Sequence, residues 1–149
     1  MASALDIVTI LSVGLMIGTE FAVSAFVNPT LRQLDAKTET AATRLFARKL
    51  GRVMPFWYVL GFALMTLEAA MRRHDAGIAW LVAALSLFAL VIVMTLILLV
   101  PINNRIARAQ EEVFPEFLKK EHRIWDLRHR GRVLALTVSM ALFLVGIRP

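Results

Sequence analysis

The chain has 149 residues, of which 58% are apolar and 19% charged, whereas a soluble domain carries about 45–50% apolar and roughly 25% charged residues. This composition indicates a membrane protein, and the net charge of +6 does not indicate nucleic-acid binding, because the basic residues flank apolar runs. The absence of cysteine excludes disulfides, iron–sulfur clusters, thiolate metal sites and a cysteine nucleophile.

Four apolar runs are candidates for membrane spans, each of which needs about 20 residues. They occupy residues 7–27, 53–71, 77–100 and 133–147. The last run is short, but the Arg132 side chain can extend to the interface and lengthen the usable span. The sequence therefore predicts an all-α fold, an integral membrane four-helix bundle that forms a single domain over residues 1–149.

The basic residues predict the orientation of this bundle. Fourteen of the 17 Lys and Arg residues fall in two segments, residues 28–52 and 102–132. Because short basic segments stay on the cytoplasmic side, both termini are expected outside, in the plasma (inner) membrane. The same cations are expected to attract anionic membrane lipid, which accounts for the charge without nucleic acid.

Both basic segments are predicted to contain amphipathic cytoplasmic helices. Residues 36–50 mix apolar and basic side chains in a pattern suited to a helix lying in the interface. A second helix is expected to begin near Phe114 and to run towards the fourth span, since Pro115 is tolerated in a first turn. Pro101 is expected to end the third span.

Glu20 is the polar residue least compatible with the first span. An ionised carboxylate in a span costs several kcal/mol unless it faces the bundle or water. Ser24 and Asn28 follow at i+4 and i+8, so the three residues form one stripe that points towards the cytoplasmic mouth. Two interpretations remain open: the stripe binds a polar ligand or a proton, or Glu20 pairs with an arginine and joins two helices.

The first span also contains Gly14, Gly18 and Ala22 at small-xxx-small spacing. This spacing allows close approach of another helix. We expect packing within the chain, with a homo-oligomer as the alternative.

A group of polar side chains is predicted to share one depth near the cytoplasmic face. Trp125, His129 and Arg132 fall at i, i+4 and i+7, so an indole, an imidazole and a guanidinium lie along one helix face, with His122 one turn earlier. The convergence predicts one pocket. Its expected lining comprises Glu20, Asn28, Asn103, Trp125, His129 and Arg132.

Three runs of sequence are recognisable together: "FAVSAFVNPTLRQL" at 21–34, "LVPINNRIA" at 99–107 and "RIWDLRHRGR" at 123–132. They resemble the anthrone-oxygenase-like family of small four-helix membrane proteins, most of which have no assigned function. The resemblance rests on the order and spacing of three motifs relative to the spans. These are Asn28-Pro29, Pro101-Ile102-Asn103, and Trp125, His129 and Arg132.

The resemblance implies a cofactor-independent oxygenase that acts on an anthrone or another hydrophobic aromatic ketone. Removing a proton from the ring CH2 leaves a delocalised anion that reacts with O2 without metal or flavin, so we expect no cofactor and no metal site. His129 is the predicted base, because an imidazole pKa of about 6.5 suits proton removal near neutrality. Arg132, Asn103 and Trp125 would stabilise the enolate oxygen, with Asn28 and Glu20 as supporting substrate-binding groups.

The alternative is a non-enzymatic membrane module that binds a lipid, a quinone or a haem, or that assists another membrane protein. A haem or a metal ion would recruit His122, His129 and Glu20, but two histidines seven residues apart on one helix form a poor chelate. A proton-coupled transporter that uses Glu20 is disfavoured, because four short spans leave little room for alternating access.

Overall fold

A computed structural model describes residues 4–148, which form four long helices. These are α1 (Ala4–Leu31), α2 (Ala36–Met71), α3 (Ile78–Arg108) and α4 (Glu116–Gly146). Each helix is long and apolar enough to cross a membrane, and residues 4–148 contain no strand. The predicted all-α, membrane-spanning bundle is therefore confirmed.

Short connections with clear local causes separate the helices. Asp35 caps α2, since its Oδ1 accepts hydrogen bonds from the backbone N–H groups of Lys37 and Thr38, both at 3.1 Å. Pro115 precedes the first residue of α4, as its fixed φ angle favours. A Cβ atom on Gly77 would collide with the backbone of Gly146, so this glycine lets the start of α3 approach the end of α4.

The helices are longer than the predicted spans, and two predicted features are wrong. Residues 36–50 are not a separate interfacial helix, because they form the first part of α2. Pro101 does not end α3, which continues to Arg108. Pro101 instead lies in the first turn of an α-helical stretch that follows a π-helical segment, Thr95–Leu99, so its missing N–H is accommodated there. The short run at 133–147 is part of α4, which begins after Pro115 as expected.

The apolar core lies between all four helices. Met16 on α1, Met65 on α2, Phe88 on α3 and Phe143 on α4 are fully buried. Large apolar side chains also cover the outside of the bundle; Phe56, for example, is 79% exposed. Helices that are apolar both in the core and on the outer surface are typical of proteins that contact lipid.

The Gly14–Gly18 face of α1 packs against no other part of residues 4–148. Nothing lies within 4 Å of the position that a Cβ atom would take on either glycine. The expectation that this spacing serves packing within the chain is therefore wrong. The homo-oligomer stays a prediction.

The two ends of the bundle differ in charge. We call the end that holds residues 28–52 and 102–132 the basic end. At the opposite end, Arg72 lies between Asp6 Oδ1 at 2.6 Å and Glu68 Oε2 at 3.2 Å, and it donates to the backbone carbonyl of Ile147. These contacts join α1, α2 and the end of α4.

Candidate active site

A cavity of about 350 Å³ lies in the half of the bundle nearer the basic end. Its volume is in the range of small-molecule sites, roughly 300–1,000 Å³, and its walls are mostly apolar. Residues from all four helices line it. They include the six side chains that the sequence predicts together, Glu20, Asn28, Asn103, Trp125, His129 and Arg132, as well as Tyr58 and His122.

Glu20 is the centre of the polar wall of this cavity. Its Oε2 accepts a hydrogen bond from Arg132 Nη2 at 2.5 Å, and its Oε1 accepts one from the Tyr58 hydroxyl at 3.0 Å. The Glu20 side chain is only 3% exposed and that of Arg132 only 10%. This charge-assisted pair is shielded from water and joins α1 to α4. The hydrogen bond from Tyr58 connects α2 to the same carboxylate. The interpretation of Glu20 as a link between helices is thus confirmed, and ligand binding by it stays a prediction.

Each ring nitrogen of His129 has a polar contact within this cluster. Its Nε2 lies 3.1 Å from the backbone carbonyl oxygen of Glu20, which can only accept, so Nε2 carries a hydrogen. Its Nδ1 lies 2.7 Å from Arg132 Nη2, which can only donate, so Nδ1 carries a lone pair. These contacts suit the neutral tautomer with its hydrogen on Nε2, and Glu20 Oε2 lies 3.2 Å from the same Nδ1, where it would accept a hydrogen bond from the protonated ring.

Trp125 forms an aromatic stack along α4. Its ring lies 4.7 Å from the His129 ring at an interplanar angle of 11°, and 6.1 Å from the His122 ring at 30°. Its indole Nε1 is buried, and nothing in residues 4–148 accepts a hydrogen bond from it. The stack therefore holds the indole ring in one orientation, with its N–H buried and without an acceptor in the described residues.

Trp125 Nε1 is one of four polar atoms of cavity-lining residues that are buried without a hydrogen-bond partner in the described part of the chain. The others are Thr43 Oγ1, Thr95 Oγ1 and Arg132 Nε. An unsatisfied buried donor costs about 1–3 kcal/mol. All four atoms belong to residues that line the cavity, so unmet hydrogen-bonding capacity is concentrated in its wall.

The two asparagines serve different contacts. Asn103 Nδ2 donates to the backbone carbonyl of Ala47 at 3.1 Å, which joins α3 to α2. Asn28 Nδ2 donates to Asp126 Oδ1 at 2.8 Å, and the other oxygen of that carboxylate accepts from Arg32 at 2.7 Å. Both amides line the cavity, but each has one N–H engaged inside the protein.

Sequence reasoning missed Asp126 and Tyr58. Asp126 is 4% exposed and lies three residues before His129 on the same face of α4, a spacing that could have indicated it. Tyr58 is the single tyrosine of the chain, and its hydroxyl lies within an apolar span. A polar group in that position needs a partner, and Glu20 is that partner.

No group of three or more His, Cys, Asp or Glu side chains that could hold a metal ion occurs within residues 4–148. His122 and His129 lie one turn before and one turn after Trp125, with the indole ring stacked on both. His122, His129 and Glu20 therefore do not form such a group within residues 4–148.

Comparison with protein-family models gives a match to the family described as anthrone oxygenase over residues 42–142. The chain belongs to the anthrone oxygenase family. The matched range contains Asn103, Trp125, His129 and Arg132, whereas Glu20 and Asn28 precede it. No curated protein and no solved structure matches the chain.

The buried carboxylate of Asp126 generates a prediction about the site of this family member. In Asp126→Ala the Asn28 amide loses its acceptor in a buried position, so the free energy of unfolding in detergent should fall by about 1–3 kcal/mol. Arg130→Ala is the matched control, because Arg130 lies 3.3 Å from the same carboxylate but is 53% exposed. It should cost less than about 0.5 kcal/mol. Equal losses in the two variants would contradict the assignment of Asp126 as a buried junction.

Proposed function

We propose that this membrane protein is a cofactor-independent oxygenase of a hydrophobic aromatic ketone, with its active site in the cavity beside Glu20. The observation that carries the proposal is the polar wall of the cavity. There, a histidine, a carboxylate and a guanidinium are in mutual contact, and neighbouring donors in the wall have no partner in the described residues. Membership of the anthrone oxygenase family supports the choice of substrate class.

His129 is the base in this proposal. Its lone pair at Nδ1 faces Arg132, so a ketone oxygen that draws the guanidinium onto itself uncovers that lone pair. Nδ1 then accepts the proton from the ring CH2. The resulting imidazolium has Glu20 Oε2 at 3.2 Å as its counter-charge. Glu20 therefore supports the charged form of the base while Arg132 moves to the substrate oxygen.

The developing enolate oxygen needs donors that are in place before the reaction. Arg132 supplies the charge, and its Nε and the Trp125 Nε1 are buried donors without another partner in the described residues. Asn103 lines the same cavity, and its amide has capacity beyond the bond to Ala47. Asn28 supports the wall through Asp126.

The reaction balances with O2 as the oxidant. The carbanion forms a C–O bond with O2, and the proton held by His129 returns to give a ring hydroperoxide. Loss of the remaining C–H proton and cleavage of the O–O bond release water and leave a carbonyl. The net change converts CH2 and O2 into C=O and H2O, so the four-electron reduction of oxygen is matched by oxidation of one ring carbon.

The test is oxygen uptake by the purified protein with a panel of anthrones. His129→Ala should lower kcat by about 10²–10⁴-fold, because a positioned general base contributes that much. His74→Ala is the matched control, since His74 is exposed at the opposite end of the bundle and should leave the rate unchanged.

Two results would contradict the proposal. Equal rates in wild type and His129→Ala would remove His129 from the chemistry. Saturable ligand binding without oxygen uptake for any anthrone would replace the oxygenase by a membrane module that binds an aromatic ketone or quinone.

We also propose that both termini lie outside and that the basic end faces the cytoplasm, in the plasma membrane. The support is the concentration of 14 of the 17 Lys and Arg residues at that end. A reporter that is active only outside, fused after residue 149, should be active, and the same reporter inserted between Gln110 and Glu111 should be silent. The reverse pattern would overturn the orientation.

A further inference from the structure

The cavity meets the surface of the bundle between α2 and α3, and these helices contact each other on both sides of that opening. Towards the end of the bundle opposite the basic end, the centroid of the Phe88 ring lies 5.9 Å from that of Tyr58 and 6.1 Å from that of Phe62. On the side of the basic end, Asn103 donates to Ala47. The gap between α2 and α3 is therefore bounded along both helices.

Several side chains between these two contacts line the cavity and are also exposed. Val59 on α2 is 68% exposed and Leu96 on α3 is 59% exposed, and both line the cavity, as does the exposed Pro55. These residues mark the part of its opening that lies within the apolar spans, whereas the exposed lining residues Phe46 and Asn104 lie nearer the basic end. We call the opening between Val59 and Leu96 the lateral gap.

The lateral gap faces lipid rather than water. Residues 53–67 and 77–100 contain no charged side chain. Val59 lies six residues inside the start of the apolar run at 53, which is about 9 Å at 1.5 Å per residue. The neighbours of the gap are apolar too, since Phe56 and Ile97 are 79% and 60% exposed. A ligand that passes here comes from the hydrocarbon region.

The backbone on both sides of the gap departs from a regular α-helix. Pro55 lacks the N–H that would bond to the carbonyl of Gly51 in α2. In α3, Thr95–Leu99 is π-helical, a form that is rare and often marks functional sites. Both walls therefore lack part of the regular hydrogen-bond ladder at the level where they would have to separate.

From this geometry we infer that a lipid-soluble aromatic ketone or quinone enters the cavity from the bilayer through the lateral gap. The inference rests on the proposed active site, and it adds the route and the physical class of the ligand. An apolar ring system suits passage between Val59 and Leu96. A carbonyl oxygen on that ring system suits the unpaired donors Trp125 Nε1, Thr95 Oγ1 and Arg132 Nε inside.

The experiment uses Trp125 as an internal reporter in phosphatidylcholine vesicles. The chain has three tryptophans, so Trp57→Phe and Trp80→Phe leave Trp125 as the single fluorophore. The probe is 2,3-dimethyl-1,4-naphthoquinone, a lipid-soluble quinone that quenches indole fluorescence and has no free quinone carbon to which a thiol can add. Because the chain has no cysteine, Val59→Cys gives a unique attachment point, which a benzyl methanethiosulfonate label makes bulky.

The matched control is Val82→Cys with the same label, because Val82 on α3 is 52% exposed and does not line the cavity. We expect saturable quenching in the unlabelled and control proteins. The label at Val59 should slow the approach to quenching by about tenfold or more. Removal of the label with dithiothreitol, and then of the dithiothreitol itself before the quinone is added, should restore the rate.

Equal quenching rates with the label at Val59 and at Val82 would overturn the lateral route while leaving the site in place. Quenching that rises linearly with the concentration of the dimethylnaphthoquinone in the unlabelled protein, without saturation, would overturn the binding site itself, and with it the proposed function. The two failures are thus distinguishable.

Discussion

The buried carboxylate of Glu20 is the constraint on which the basic half of the bundle depends. A carboxylate within an apolar span must find its counter-charge and its donors inside the protein. Glu20 finds them in Arg132 of α4 and Tyr58 of α2. Because Arg132 is one turn beyond His129, the same pairing places the imidazole against the backbone of Glu20. One acidic residue thus sets the relative positions of three helices.

The cavity lies beside this cluster, between the four helices. Apolar side chains form most of its wall. Four polar atoms of the wall residues have no hydrogen-bond partner within residues 4–148. Farther towards the basic end, the Asn28–Asp126–Arg32 junction again joins α1 to α4. At the opposite end, Asp6 and Arg72 join α1 to α2. Helix α1 is therefore fixed by polar contacts at three levels, with apolar packing between them.

The sequence predicted the fold class and the polar residues that line the cavity, because both follow from local patterns. Hydropathy identifies apolar runs, and the spacing of Trp125, His129 and Arg132 gives a common helix face. Hydropathy does not show where a helix ends once it leaves the bilayer, so the full length of α2 and the position of Pro101 within α3 were missed.

The contacts between helices could not be predicted from the sequence either. Tyr58 and Asp126 gain their importance from partners 38 and 98 residues away, and that pairing depends on how each helix is rotated. The same dependence explains Gly14 and Gly18, whose spacing fits helix packing but whose face points away from the bundle.

A double-mutant cycle of Glu20→Gln and Arg132→Gln on the free energy of unfolding tests the central claim most directly. Each single change leaves one unpaired charge-bearing group in a span, whereas the double variant keeps two neutral amides that can bond to each other. The account predicts that the double variant loses less than the sum of the single losses, with a coupling free energy of about 1–3 kcal/mol. Losses that add to within about 0.5 kcal/mol would contradict it.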